Sequence, residues 1–344
     1  MEPASPVEPR IGRQLLRTLP APFFERAVVC TQPEPWALAA DGFAHPPEAV
    51  FQVRSMEHGL VRLQCESLPA ADLVFGIGGG AALDFAKYLA WTRGCTLVLV
   101  PSILSADAAF TRAVGVRERA RVRYVGDVLP ARILVDLDLV QAAPPELNRS
   151  GAGDVLSIFT ALWDWEQAHR RLGEPYDPEI AAASRGLLDR LWPIADELRS
   201  NGESGLRELV CLYLAEVALC ERHGNARPEE GSEHSLAYCL EARTGRSYLH
   251  GRLVALCVLL VGLLQGQDVH PVASFLRRLG LDCRLRTVGC SREELISALV
   301  GACDFVAEEP QLLPGVFHFR EPLSRAEARE LIAGAEEALG GDGR

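Results

Sequence analysis

The sequence predicts an α/β domain over residues 10–148, built on a Rossmann-like, mostly parallel sheet, followed by an all-α domain over residues 149–340. Two observations carry that expectation. In the first part of the chain short β-branched runs alternate with helical patterns, the order of βαβ units. Beyond about residue 150, long stretches of helical periodicity follow one another with few strand signals.

Taken in order, strands are expected at Ala27–Thr31, 49–53, 72–77, Thr96–Pro101 and Arg132–Asp136. The run 114–126, "VGVRERARVRYVG", is apolar, then charged, then apolar, which suits an exposed hairpin. Strand alternation sends Arg117, Arg119, Arg121 and Arg123 to one face, either a solvated edge protected by charge or a cluster for a phosphate or carboxylate. Helices are expected at 153–172, 178–199, 205–222, 232–243, 248–266, 271–280, 291–307 and 324–339, with the domain boundary near 144–150. The tails 1–9 and 340–344 read as disordered. The longest apolar run, 253–264, is shorter than the roughly 20 residues that span a bilayer, so a buried core helix is expected there.

With 344 residues, 48% hydrophobic and 24% charged, the chain is long enough for two domains of ordinary globular composition. Its net charge of −11 argues against a nucleic-acid or anionic-membrane partner, since the summed field would repel either. A small anion in a local basic pocket stays possible. None of the ten cysteines is spaced as CxxC, and the first residues, "MEPASPVEPR", lack a basic region followed by an apolar stretch. Reduced thiols and a cytoplasmic location are expected.

"DLVFGIGGGAALDFAKYLA" (72–90) is an apolar run that breaks into glycines and restarts at helical spacing. A strand, a glycine turn and a helix place backbone N–H groups and the positive end of the helix where a phosphate can sit. Gly76, Gly78 and Ala81 fit G-x-G-x-x-G/A, but the next strand ends in "VPS" without the acidic residue of a dinucleotide fingerprint. A tight turn without a ligand is the alternative. Lys87 is the one lysine among 35 Lys and Arg residues. It is either an i, i+3 partner of Asp84 on a solvated face, or a compact ammonium in a confined site that a planar guanidinium does not fit.

Three further residues form a metal-ligand inventory. Asp154 is expected at the start of a long helix, His234 early in a second, and His250, 16 residues further on, at the start of a third. Two histidines and a carboxylate suit a divalent catalytic ion with an open position. The alternatives are helix capping for Asp154 and satisfied imidazoles for the histidines. His45, His58, His169, His223, His270 and His318 have no comparable setting.

Taken together, these segments resemble the superfamily of glycerol dehydrogenases, iron-containing alcohol dehydrogenases and dehydroquinate synthases, and within it the glycerol-1-phosphate dehydrogenases. "GIGGGAALDFAK" is similar to the family's glycine turn, "VPSILSADAAFT" to its Pro-Thr-x-x-Ser-x-Asp segment, and "ILVDLDLVQAAPPELNRSGAGDVLSIFTALWDWEQA" to its metal-carboxylate segment. "EEGSEHSLAYCLE" and "LHG" resemble its two metal-histidine segments, so the likeness covers about residues 25–265. It implies a dehydroquinate synthase-like fold, with the active site between the carboxyl edge of the sheet and the helical domain. Asp154, His234 and His250 would hold one divalent ion, Zn²⁺ first, with Fe²⁺ or Ni²⁺ as alternatives. Gly78, Gly79 and Gly80 would cradle the pyrophosphate of NAD or NADP, with Asp84 and Lys87 toward the nicotinamide. Ser102 and Ser105 would line the cofactor or substrate pocket, and Asp107 would face the substrate hydroxyls. The implied protein is a homodimer or larger acting on a small, anionic substrate.

The sequence departs from the family pattern at several positions. Gln32 stands after the first strand where an acidic residue often meets the adenosine ribose, so a 2′-phosphate would not be repelled. Tyr238 stands one helical turn after His234, where a second histidine is common, and would have to take over a proton relay. Ala106 and Arg252 replace a common histidine and acid. The arginine row gains a third reading, the 2′-phosphate of NADP. Three functions follow: a metal- and NAD(P)-dependent polyol or polyol-phosphate oxidoreductase of the glycerol-1-phosphate kind; a sugar-phosphate cyclase of the dehydroquinate synthase type that uses NAD catalytically; and a retired enzyme kept as a binding module. The aspartate ligand and the absence of a Gly-Gly-Lys segment argue against the cyclase, and the intact ligand set argues against the third.

Overall fold

Six short runs pair side by side, all parallel: β1 (Arg10–Gly12), β2 (Ala27–Thr31), β3 (Ala49–Gln52), β4 (Leu73–Gly78), β5 (Thr96–Pro101) and β8 (Arg132–Asp136). Their order across the sheet is β1-β8-β5-β4-β2-β3. The structure, a computed structural model, describes residues 7–340, so the disorder expected for the tails falls mainly outside the described residues. The central strands β2 and β4 are buried along their whole length, as in a parallel sheet covered on both faces. Phe24, Phe43 and Phe75 pack ring against ring on one face, and Ile77, Val98 and Val100 extend that core. β1 is additional to the five strands expected. At three residues it is too short to show either alternation or an apolar run.

The chain divides into two compact units between Asn148 and Arg149. In the first unit the hairpin β6 (Ala113–Glu118) and β7 (Arg121–Asp127) forms a sheet of its own. Its register corrects the arginine row. Arg117 pairs with Val122, and Arg121 with Glu118, so Arg117 lies on the opposite face from Arg121 and Arg123. Arg119 and Ala120 are spent on the turn, with φ of 52° and 63°, and a two-residue turn reverses the parity of everything after it.

The second unit is helical. The expected helix 153–172 is in fact two, Pro145–Val155 and Ile158–Leu172. The expected 178–199 stops at Leu191 before a short 3₁₀ turn containing Pro193, and the expected 291–307 breaks at Gly301. Helix Ser232–Thr244 lies within one residue of expectation and His250–Leu264 is two residues shorter at each end, and the second is the buried apolar helix. No helix among the described residues is long and apolar enough to cross a membrane.

Candidate metal centre and nucleotide cradle

Asp154 is the penultimate residue of the helix Pro145–Val155, not the first of the next helix, so the capping reading falls. A carboxylate at a helix C-terminus opposes the macrodipole and needs a compensating positive charge. Two imidazoles provide the contacts. His250 Nε2 lies 3.2 Å and His234 Nε2 3.5 Å from the same oxygen, Asp154 Oδ1. Gly153 permits that approach: a Cβ there would stand 2.0 Å from the carbonyl oxygen of Gly251.

One ligand atom from each of the three residues lies within 4.8 Å of the others. The Asp154 and His234 side chains are 10% and 8% exposed and that of His250 is 32% exposed, so the set is closed on two sides and open at His250. Burial alone would push the His234 imidazole down, but its hydrogen bonds to the Asp154 and Glu233 carboxylates reverse the sign and hold it well above its ordinary range. Burial would likewise raise Asp154, and the charges and hydrogen bonds of His250 and His234 hold it below its ordinary value instead. The donor set is that of a catalytic ion with a vacant coordination position.

Glu233, Thr160, Asp164 and Glu230, none of them named by the sequence reading, lie around the centre. Glu233 Oε1 lies 3.0 Å from His234 Nδ1. Thr160 donates its hydroxyl to Glu233 Oε2 at 2.6 Å. Asp164, fully buried, accepts the backbone N–H of Ser232 at 2.7 Å and of Val316 at 2.9 Å. Tyr238 donates to Glu230 Oε1 at 2.8 Å, and its ring centroid is 5.9 Å from that of His234. The one signal available was the acid in "SEH", directly before the ligand histidine.

In the first unit the expected cofactor residues gather at the carboxyl ends of β2, β4 and β5. Gly78 has φ of 151°, and a Cβ on it would meet Gln32 Oε1 at 2.3 Å, so the Gln32 amide lies over the turn only because residue 78 is glycine. Gly79 caps the helix Gly80–Arg93 with no side-chain hydrogen bond, leaving its first N–H groups for an anion. Ser102 donates its N–H to the Gly78 carbonyl at 3.0 Å. The loop after it is held by Asn148, which accepts from Leu104 N–H at 2.9 Å and donates to the Val140 carbonyl at 2.8 Å. Ser105 and Asp107 are half-buried in that loop, and Asp107 opens a short 3₁₀ turn. This glycine backbone, approachable from the helix N-terminus, fits a pyrophosphate.

Asp84 and Lys87 sit further along the same helix, and the solvated-face reading does not hold. Lys87 is fully buried. Its Nζ donates to Asp84 Oδ1 at 3.3 Å and to the Ala113 carbonyl at 3.1 Å, while Gly115 N–H donates to Asp84. The pair thus ties the helix to the hairpin.

The model of the iron-containing alcohol dehydrogenase family matches residues 47–144. The chain is 32% identical to the glycerol-1-phosphate dehydrogenase [NAD(P)+] of Hyperthermus butylicus over 80% of this chain and 80% of that one. It is 31% identical to the enzyme of the same name from Thermoplasma acidophilum, over 70% and 68%. In fold it is similar to a probable glycerol dehydrogenase from Sinorhizobium meliloti 1021, with a TM-score of 0.71, 18% identity, and 97% and 98% of the two chains covered. On this identity and coverage the chain belongs to the iron-containing alcohol dehydrogenase superfamily, in the family of the glycerol-1-phosphate dehydrogenases.

Proposed function

We propose that this chain is a metal-dependent, NAD(P)-linked oxidoreductase that interconverts a phosphorylated polyol of the glycerol-1-phosphate kind and its ketone. The observation that carries the reading is the convergence of Asp154, His234 and His250 from three helices on one point. Residues 149–340 would carry the metal, Zn²⁺ first among the candidates, and residues 10–148 the dinucleotide. When bound, the ion supplies Lewis acidity at the substrate oxygen and the nicotinamide takes or gives the hydride.

The chain's own residues do the rest. Gly78, Gly79 and Gly80 bring backbone N–H groups to the pyrophosphate, with Gln32 beside the turn. Tyr238, hydrogen-bonded to Glu230 and next to His234, takes the place of the proton-relay histidine. Ser102 and Ser105 would line the cofactor or substrate pocket, and Asp107 would face the substrate hydroxyls. Ten cysteines standing as thiols support a cytoplasmic setting.

The test is the nicotinamide absorbance of zinc-reconstituted protein with dihydroxyacetone phosphate, using NADH and NADPH in turn. Oxidation of the cofactor is expected. Substrate loss with an unchanged cofactor spectrum would point to the cyclase instead. His250→Ala is expected to lose both bound zinc and turnover, and full activity in the metal-free variant would end the metal reading. Tyr238→Phe should keep its zinc but lower turnover and shift its pH profile, whereas an unaltered profile would remove Tyr238 from proton transfer.

A further inference from the structure

We propose that Glu233, adjacent in sequence to the ligand histidine, is a positioning residue: its carboxylate fixes the proton of His234 on Nδ1 and so turns the Nε2 lone pair toward the ion. The inference rests on reading Asp154, His234 and His250 as the metal centre. Glu233 is fully buried, where a carboxylate is costly unless its lone pairs are used. Its two oxygens are met by three groups that can donate. Oε1 accepts the Gly231 N–H at 2.6 Å and stands 3.0 Å from His234 Nδ1; Oε2 accepts the Thr160 hydroxyl at 2.6 Å. With a donor at each oxygen the carboxylate has only lone pairs to offer the ring, so Nδ1 carries the hydrogen. Nε2, on the opposite side of the ring and 3.5 Å from Asp154 Oδ1, is then the nitrogen whose lone pair is left for an ion that takes the place of the proton between them.

The scaffold behind this contact is itself pinned. Glu233 and His234 ride on the first turn of the helix Ser232–Thr244. Asp164 accepts the N–H of Ser232 and an N–H of the Gln265 amide at 3.1 Å, which anchors that turn to two neighbouring elements. A carboxylate that merely capped the helix would need only the Gly231 contact and would have no reason to be withdrawn from water beside a ligand histidine. Hydrogen-bond partners of ligand histidines typically change metal affinity by about 10–100-fold when they are removed.

Zinc affinity by chelator competition, together with long-range ¹H–¹⁵N spectra of the zinc-loaded histidines, tests this. Glu233→Ala is expected to weaken zinc binding about 100-fold, and Glu233→Gln, which keeps an acceptor oxygen at Nδ1, to stay within about tenfold of the parent. The parent spectra should show His234 protonated on Nδ1 and metallated on Nε2. A parent that binds zinc while Glu233→Ala binds it equally well would overturn the role of Glu233 alone. A parent that binds no zinc would overturn the metal centre and the inference with it. Should Glu233→Ala fail to fold by circular dichroism, the parent spectra and Glu233→Gln decide: zinc on Nδ1 of His234, or a 100-fold loss in Glu233→Gln, would each overturn the proposal.

Discussion

Asp164 is held up to about 7 from its ordinary 3.8, first by burial and then by the neighbouring Glu233 charge. The folded chain therefore keeps a proton there that the unfolded chain has released. Its contribution to stability is complete below about pH 4 and is lost as pH rises through about 7. Urea unfolding midpoints are expected to fall over that window, and Asp164→Asn should flatten the slope; an unchanged slope would place the pH dependence elsewhere. Gln32, lying over Gly78, makes a second residue-scale prediction. Gln32→Asp should cut the use of NADPH relative to NADH by about tenfold or more, since a carboxylate would face the 2′-phosphate, and equal use of both would move that subsite away from Gln32. The ligands were legible as residue types because histidine and carboxylate are the chemistry of a divalent site. Glu233 and Asp164 were not, because their roles exist only in hydrogen bonds that join residues 160–164, 231–234 and 315–316.

At the scale of elements, close approach and turn geometry decide what periodicity alone does not. Gly153→Ala would drive a Cβ into the Gly251 carbonyl and separate the helix of Asp154 from that of His250. Because ligand distances must hold to about 0.2 Å, zinc binding should be lost while helicity by circular dichroism is kept. Retained affinity would mean the helices can part without cost to the site. In the hairpin, Arg119 and Ala120 occupy left-handed backbone positions that cost roughly 1–2 kcal/mol each for residues with a Cβ. Ala120→Gly should therefore raise stability by about 1 kcal/mol, read as a higher melting temperature. The strands were legible because a parallel sheet buries both faces, so each appears as a short β-branched run. The facing of the arginines was not, since alternation holds only within one strand and the turn resets it.

For the whole molecule, bound zinc is expected to stabilise the folded state by about 4 kcal/mol at a thousandfold excess over its dissociation constant. Hydrogen exchange should show the gain in the helices Pro145–Val155, Ser232–Thr244 and His250–Leu264, which supply the ligands. Gains absent from all three would separate zinc binding from this centre. The two-part plan of sheet and helices could be read from the change in pattern along the chain; the order of the strands could not, because every parallel connection of that length is sterically open to several neighbours. One side chain links the sequence's composition to its fold in a further way. Lys87, the single lysine, is also fully buried. The folded surface thus offers no side-chain amine to acylating reagents, to a lysine-specific protease or to enzymes that attach modifiers to lysine. Labelling at residue 87 becomes a built-in reporter of the opening of the sheet-bearing unit, silent while the helix is docked and switched on by its release.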